Sequence, residues 1–312
     1  MLKIVIGYIG DIIFGDPYAI PHPIRFIGKL IRFLEDKLRK FSKDNKGEKL
    51  MGCILVLLTV SITYIVTYYL VNIWNIIDNS GYIAKVVETF FIFQILATKS
   101  LDVETRKVLK PLKEKNIGEA RKFLSYIVGR DTRELNEKEM TRACIETIAE
   151  STSDGIIAPL LFIFIGGAPL GMAYKAVNTL DSMVGYKNDK YYYFGWASAR
   201  VDDIVGFIPA RITGIVTIIT AFFMRYDCKN AFKIFIRDRL NHKSPNSAHG
   251  EAAFAGALQI QIGGTNTYFG KKVYKPTIGD NIKELEVDHI NDAIRLMYGV
   301  SFVGLLTFLV IF

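Results

Sequence analysis

Twenty-four consecutive residues, Met51 to Trp74, carry no charged side chain. Crossing a hydrocarbon core as a helix takes about 20 apolar residues, so this run is long enough to span a bilayer. Lipid offers no partner for backbone N–H and C=O groups, and a single spanning segment must therefore be helical. Trp74 closes the run as an aromatic anchor suited to the interface. Half of the 312 residues are hydrophobic, which excludes disorder and fits a polytopic membrane protein.

Four further stretches extend the pattern. Residues 83–98 are apolar, with Lys85 and Glu88 near one end. Residues 155–173 are apolar but interrupted by Gly166, Gly167, Pro169 and Gly171. Residues 204–224 are apolar except for Arg211 and a few threonines, and residues 297–312 close the chain. The segment from Arg25 to Lys49 holds nine basic and four acidic residues, whereas Asn75 to Ala84 holds no basic one. The bias places the first segment in the cytoplasm and the second outside. A full crossing by 155–173 would strand the polar motifs that follow it. The Gly-Gly-x-Pro interruption instead predicts a broken or re-entrant helix that returns to the same face. The expected fold is an all-α, polytopic membrane bundle, one domain over 1–312, with cytoplasmic helical loops, including the polar stretch Tyr226 to Asp292.

The net charge of +8 fits basic loops facing anionic lipid, or sites for phosphorylated substrates, and no nucleic-acid motif accompanies it. Cys53, Cys144 and Cys228 are isolated, and the four histidines lack metal-ligand spacing. The first residues lack a cleavage pattern and are not read as a signal peptide.

Charged and amide side chains concentrate between Gly129 and Arg211. Burying them near lipid is costly unless they are paired or bind a ligand. "NEKE" places Glu139 three residues after Asn136, a capping-box signal for a helix running through "MTRACIETIAES". On it Arg142, Glu146 and Glu150 share a face, which reads either as a solvated ion-pair stripe or, with Asp154 following, as a hard-cation site for Glu146, Glu150 and Asp154. In "YKAVNTLDSMVGY", Lys175, Asn178 and Asp181 are candidates for phosphate, substrate and cation contacts, against the plainer reading of interhelical polar glue. Arg200 and Asp203 stand i, i+3 and can pair, and Arg211 lies inside an apolar run. Arg130 and Asp131 of "GRDT", His22 of "GDPYAIPHP", and His242, Ser244, Asn246 and Glu251 of "HKSPNSAHGE" complete the candidate substrate and phosphate contacts. There is no Walker loop.

In order and wording these motifs resemble those of the CobD/CbiB family of adenosylcobinamide-phosphate synthases, from Asp11 to about Gly279. The strings carrying the likeness include "GDPYAIPHPI", "GRDT", "ETIAESTSDGIIAPL", "YKAVNTLDSMVGY", "FGWASARVDDIVGFIPAR" and "SPNSAHGEAAFAGALQIQIGG". The resemblance implies a multi-pass enzyme of the cell membrane with its active site towards the cytoplasm. It would join adenosylcobyric acid to aminopropanol phosphate, or aminopropanol, as an amide, using ATP and magnesium, and other corrin-pathway membrane enzymes are possible partners. In that reaction Glu146, Glu150 and Asp154 would serve magnesium. Arg130, Lys175, Arg200 and Arg211 would serve phosphate groups, and Asp181 or Asp203 would take the ammonium proton. Ser151 stands where the family usually has Asn, and His249-Gly250 where it usually has Trp-Pro. The first departure bears on cation or phosphate geometry and the second on an aromatic surface for the corrin. Two other readings stay open: a different magnesium-dependent membrane transferase of phosphorylated substrates, and a non-enzymatic corrinoid-binding or transport protein.

Overall fold

A computed structural model describes residues 1–17, 21–268 and 270–312. In chain order its helices are α1 (Leu2–Phe14), α2 (Pro23–Leu38), α3 (Asn45–Asn72), α4 (Trp74–Ile77), α5 (Tyr82–Ile95), α6 (Thr98–Lys113), α7 (Ile117–Leu124) and α8 (Glu137–Thr152). A π-helical turn, Ser153–Ile157, leads into α9 (Ala158–Val184), followed by α10 (Trp196–Val205), α11 (Phe207–Phe223), α12 (Cys228–Asp238) and α13 (Ser247–Leu258). An antiparallel hairpin, β1 (Ile262–Tyr268) and β2 (Lys271–Ile278), precedes the last helix, α14 (His289–Ile311). By packing, the chain divides into two compact units. Unit 1 comprises Met1–Ala97, Ala158–Gly206 and Phe312, and unit 2 comprises Thr98–Ile157 and Phe207–Ile311.

Among the described residues three helical stretches are long and apolar enough to cross a membrane, Asn45–Ile77, Glu137–Val184 and His289–Ile311, with a fourth if α10 and α11 make one bent span. The fold is that of an all-α membrane protein carrying one small hairpin. Burial on the long helices is inverted relative to a protein in water. On α3, Leu57, Ile65 and Tyr69 point outward while Gly52, Thr59, Thr63 and Thr67 are buried. On α11, Ile208, Ile215 and Phe222 are exposed while Thr213, Gly214, Thr217 and Thr220 are buried. Small and hydroxyl residues inside let helices approach closely, and apolar side chains outside suit lipid. The buried threonines of α11 return their hydroxyls to the carbonyls of Pro209, Thr213 and Val216, so no donor is stranded.

In unit 1, α9 packs against α2, α3, α5 and α10. Its helical course breaks at Gly166 and Gly167, the latter with φ +68°. Phe162 and Tyr174 stack with ring centroids 5.0 Å apart. Twelve residues of straight helix would separate them by about 18 Å. The chain therefore turns back on itself at the glycine pair, the hairpin course predicted from Gly-Gly-x-Pro. Glu88 of α5 fixes the turn: its Oε1 accepts the Ala168 N–H at 3.4 Å, and its Oε2 takes Lys3 Nζ at 2.5 Å. Residues 83–98 form no full span, since α5 has 14 residues.

In unit 2, α13 packs on α8, α11 and α12, and α14 packs on α6, α8 and α11. The capping box at Asn136 is present as predicted: the Asn136 side chain accepts the Glu139 N–H at 2.9 Å, and the Glu139 carboxylate accepts the Asn136 N–H at 2.8 Å. The hairpin is a correction to the expectation of helices and loops over Tyr226 to Asp292. Its strand residues alternate weakly, and β1 opens on Gly263 and Gly264, both at positive φ, with a register irregularity between Ile262 and Gly264.

Candidate active site

The expected residues divide between the units. Unit 1 holds His22, Lys175, Asn178, Asp181, Arg200 and Asp203, on or next to α2, α9 and α10. Unit 2 holds Arg130, Asp131, Glu146, Glu150, Asp154, Arg211, His242, Ser244, Asn246 and Glu251.

In unit 2 a compact charged group forms where α8, α13 and the hairpin converge. Glu146 and Glu150 stand four residues apart on α8, so they emerge one turn apart on the same face. Glu146 is buried, and its two oxygens are both engaged: Oε1 accepts the Gly263 N–H at 2.8 Å, and Oε2 pairs with Arg130 Nη2. Arg130 in turn donates from Nη1 to Asn266 Oδ1 at 2.7 Å. Burial alone would lower the guanidinium's pKa, but Glu146 outweighs it and holds it above the ordinary value. Glu150 is exposed and accepts from the Ser247 hydroxyl at 2.9 Å, at the start of α13.

One turn further along α13, Glu251 is buried. Desolvation first, then the neighbouring charges of Glu146 and Glu150, push its carboxyl up to about 8. Lys275 of β2 faces this group. Burial works against its charge, but Glu251, Tyr268, Glu150 and Glu146 hold its pKa above the usual value. His242 accepts the Ser244 N–H on Nδ1 at 3.0 Å, its Nε2 is buried without a hydrogen-bond partner, and burial with Lys275 nearby lowers its pKa. The result is a cluster of two cations, Arg130 and Lys275, and three carboxyl groups, with Glu146 and Glu251 buried and Glu150 open to solvent, a set suited to contact phosphate and carboxyl groups.

Several expectations are revised by these contacts. Asp131 pins the hairpin: its Oδ2 accepts the Gly270 N–H at 2.8 Å, and its own N–H donates to Thr267 O at 2.9 Å. Among the described residues no group of three or more His, Cys, Asp and Glu is arranged to hold a metal ion. Glu146, Glu150 and Asp154 thus form no dedicated cage, because Glu146 is committed to Arg130 and Gly263. His22 caps α2, its Nδ1 accepting the Ile24 N–H at 3.2 Å, and its Nε2 lies 3.3 Å from Asp16. The rest of that motif, residues 18–20, lies outside the described residues. Arg200 and Asp203 make the predicted i, i+3 pair at 3.6 Å. Lys175 is buried on α9, and Asn178 and Asp181 are half-buried on the same helix. Arg211 donates to Asn246 Oδ1 at 2.8 Å and lies over the Phe207 ring at 3.5 Å. Sequence reasoning missed Lys275, Tyr268 and Asn266, all on the hairpin. Lys275 precedes Pro276 in "KKVYKPTI", whose alternation was the available signal.

The model of the CobD/CbiB protein family matches residues 4–297. This chain belongs to the CobD/CbiB family. It is 52% identical over 311 residues to the cobalamin biosynthesis protein CobD of Clostridium perfringens, covering 100% of this chain and 98% of that one. It is 51% identical to the CobD of Clostridium tetani, covering 96% of this chain and 93% of the other. The cobalamin biosynthesis protein CbiB of Salmonella arizonae is 45% identical, over 97% of this chain and 95% of its own length. No solved structure matches. The residues of the charged cluster all fall within the span matched by the CobD/CbiB model.

Proposed function

We propose that this chain acts in cobalamin biosynthesis, as a membrane enzyme that joins adenosylcobyric acid to aminopropanol phosphate in an ATP-dependent amide ligation. Full-length similarity to proteins named for cobalamin biosynthesis supports the pathway. The observation that carries the reaction type is the clustering of Arg130 and half-buried Lys275 with the buried carboxyls of Glu146 and Glu251. A carboxylate cannot be displaced by an amine until one of its oxygens becomes a leaving group. Transfer of the ATP γ-phosphoryl to the carboxylate gives an acyl phosphate and ADP. The amine then attacks the carbonyl carbon, phosphate leaves with the C–O bond electrons, and the nitrogen loses a proton.

Arg130 and Lys275 suit the phosphoryl oxygens, with Glu146 fixing Arg130's orientation. Lys175, Arg200 and Arg211 remain candidates for other phosphate groups. Held near 8, Glu251 keeps its own proton in most molecules at neutral pH and can take the ammonium proton only after losing it, so Asp181 and Asp203 stand beside it as candidates for that proton. Magnesium bound to nucleotide phosphates would complete its shell with one or two carboxylates, for which exposed Glu150 and half-buried Asp154 fit better than Glu146. When bound it would neutralise charge on the β- and γ-phosphates. The active site faces the cytoplasm in this reading, where ATP is available.

The test is purified protein in nanodiscs with adenosylcobyric acid, ATP, magnesium and aminopropanol phosphate, followed by mass analysis of the corrinoid. The expected product is the amide, with ADP and phosphate released. Asp154→Ala and Asp181→Ala should abolish it without loss of folded protein. Unchanged corrinoid from wild-type protein, or pyrophosphate release, would overturn the assignment.

A further inference from the structure

At the other end of the α13 first turn the electrostatics reverse. Arg239, the residue just after α12, and Arg211 of α11 act electrostatically on each other and on His249. Among the described residues neither arginine has a carboxylate partner, although the chain makes ion pairs freely elsewhere. Arg239 donates to Ile236 O, and Arg211 to Phe207 O and Asn246 Oδ1, which leaves other guanidinium N–H groups available. His249 is 2% exposed, its edge meets the Phe235 ring at 5.9 Å, and its Nδ1 is buried with the Asn246 backbone as its one polar neighbour among the described residues, outside good hydrogen-bond geometry. It stands three residues after Asn246, the cap position of α13, whose side chain turns to Arg211 instead of capping the helix. Glu150 reaches Ser247 from the other side, but the charges that act on His249 are those of the arginines.

We infer that Arg211, Arg239, His249 and the uncapped N-terminus of α13 form a binding subsite for a dianionic phosphate group. Two like charges held together with no counter-charge are destabilising on their own, and an anion relieves this. A helix N-terminus adds free N–H groups and a positive dipole end. A planar guanidinium gives paired donors matched to phosphate oxygens. With no anion bound, burial and the arginines hold His249 down at about 4, so the ring is neutral and can offer one N–H. The subsite deepens the proposed ligation by placing one of its phosphates. That phosphate belongs either to the nucleotide or to the phosphorylated amine.

The experiment reads binding without turnover, so failure of amide formation would leave this inference standing. Full-length protein in nanodiscs, free of nucleotide and magnesium, is titrated with inorganic phosphate by calorimetry. Arg239→Gln should weaken phosphate binding about tenfold or more, the loss expected for one charge-assisted bond. Arg239→Lys should recover most of it, and Lys229→Gln, an exposed cation on the same helix, should change nothing. Competition by aminopropanol phosphate but not aminopropanol assigns the subsite to the amine substrate, and competition by ADP alone assigns it to the nucleotide. Absence of phosphate binding to wild-type protein, or equal binding by wild type and a folded Arg239→Gln protein, overturns the inference.

Discussion

Each unit holds a chain reversal with the same device, used differently. In unit 1 the glycine pair Gly166–Gly167 breaks α9, Glu88 accepts an N–H from Ala168, and Lys3 neutralises the carboxylate. In unit 2 the pair Gly263–Gly264 opens the hairpin, Glu146 accepts the Gly263 N–H, and Arg130 neutralises it. Both carboxylates are imported from a distant helix to satisfy a backbone donor that regular structure would otherwise leave orphaned. The difference lies in the company they keep. The Lys3 side chain is 35% exposed, whereas the Arg130 side chain is 7% exposed and stands among Glu150, Glu251 and Lys275. A carboxylate that only closes a turn needs one cation; one with several further ionisable groups gathered around it belongs to a site.

The comparison is broken most directly at the carboxylates. Glu146→Ala leaves Arg130 buried and uncompensated, a loss of about 3–5 kcal/mol, and abolishes amide formation. Glu88→Ala releases a lysine that can reach solvent, and should lower stability by about 1–2 kcal/mol while turnover per folded molecule is kept. Thermal unfolding in nanodiscs, paired with specific activity, separates the two. Inactive but folded Glu88→Ala protein would erase the distinction between scaffold and site.

Next in size is pH. Folded Glu251 titrates near 8, while an unfolded glutamate keeps its ordinary value of 4.5. Between those values the folded state holds a proton that the unfolded state has released, so stability falls as pH rises. From pH 6 to pH 8 the loss should be about 2 kcal/mol, and Glu251→Gln should flatten it. A slope unchanged by Glu251→Gln would place the titrating group elsewhere.

The two reversals also differ in how they show in the sequence. The helical one was legible, because glycines and a proline interrupt an apolar run that nothing else explains. The capping box at Asn136 and the Arg200–Asp203 pair were legible because both are local, set by spacing within one turn. The hairpin is not: Asp131, Glu146 and Asp238 hold it and its flank through bonds that span 41 or more residues of chain. Lys275 shared that invisibility, since a strand lysine before a proline reads as exposed until Glu251 is brought to it. His249 stands out in the sequence only as a departure from the family pattern, because the cationic company of Arg211 and Arg239 exists only in the packed unit.

Substituting the turn glycines sharpens the same contrast with a smaller effect. Gly167 has φ +68° and Gly263 φ +86°, so alanine at either position should cost about 1–3 kcal/mol in backbone strain. Added carbons would also meet Glu88 Oε1 at 2.5 Å and, more closely still, the Pro276 carbonyl oxygen. Gly263→Ala should displace Glu146 and reduce turnover beyond its effect on stability, whereas Gly167→Ala should not.

The smallest effect is expected where the cap is local. Asn136→Ala removes one side-chain acceptor from the start of α8, worth about 1 kcal/mol. The freed Glu139 N–H lies at an exposed helix end and can turn to water. By contrast, the Ala168 N–H served by Glu88 and the Gly263 N–H served by Glu146 are buried. The Asn136 variant should therefore melt slightly earlier, with Glu146 held in place by Gly263 and Arg130 and specific activity unchanged. A large loss of activity from Asn136→Ala would mean that α8 takes its phase from its own first turn, and that the contacts of Glu146 follow the helix rather than fix it.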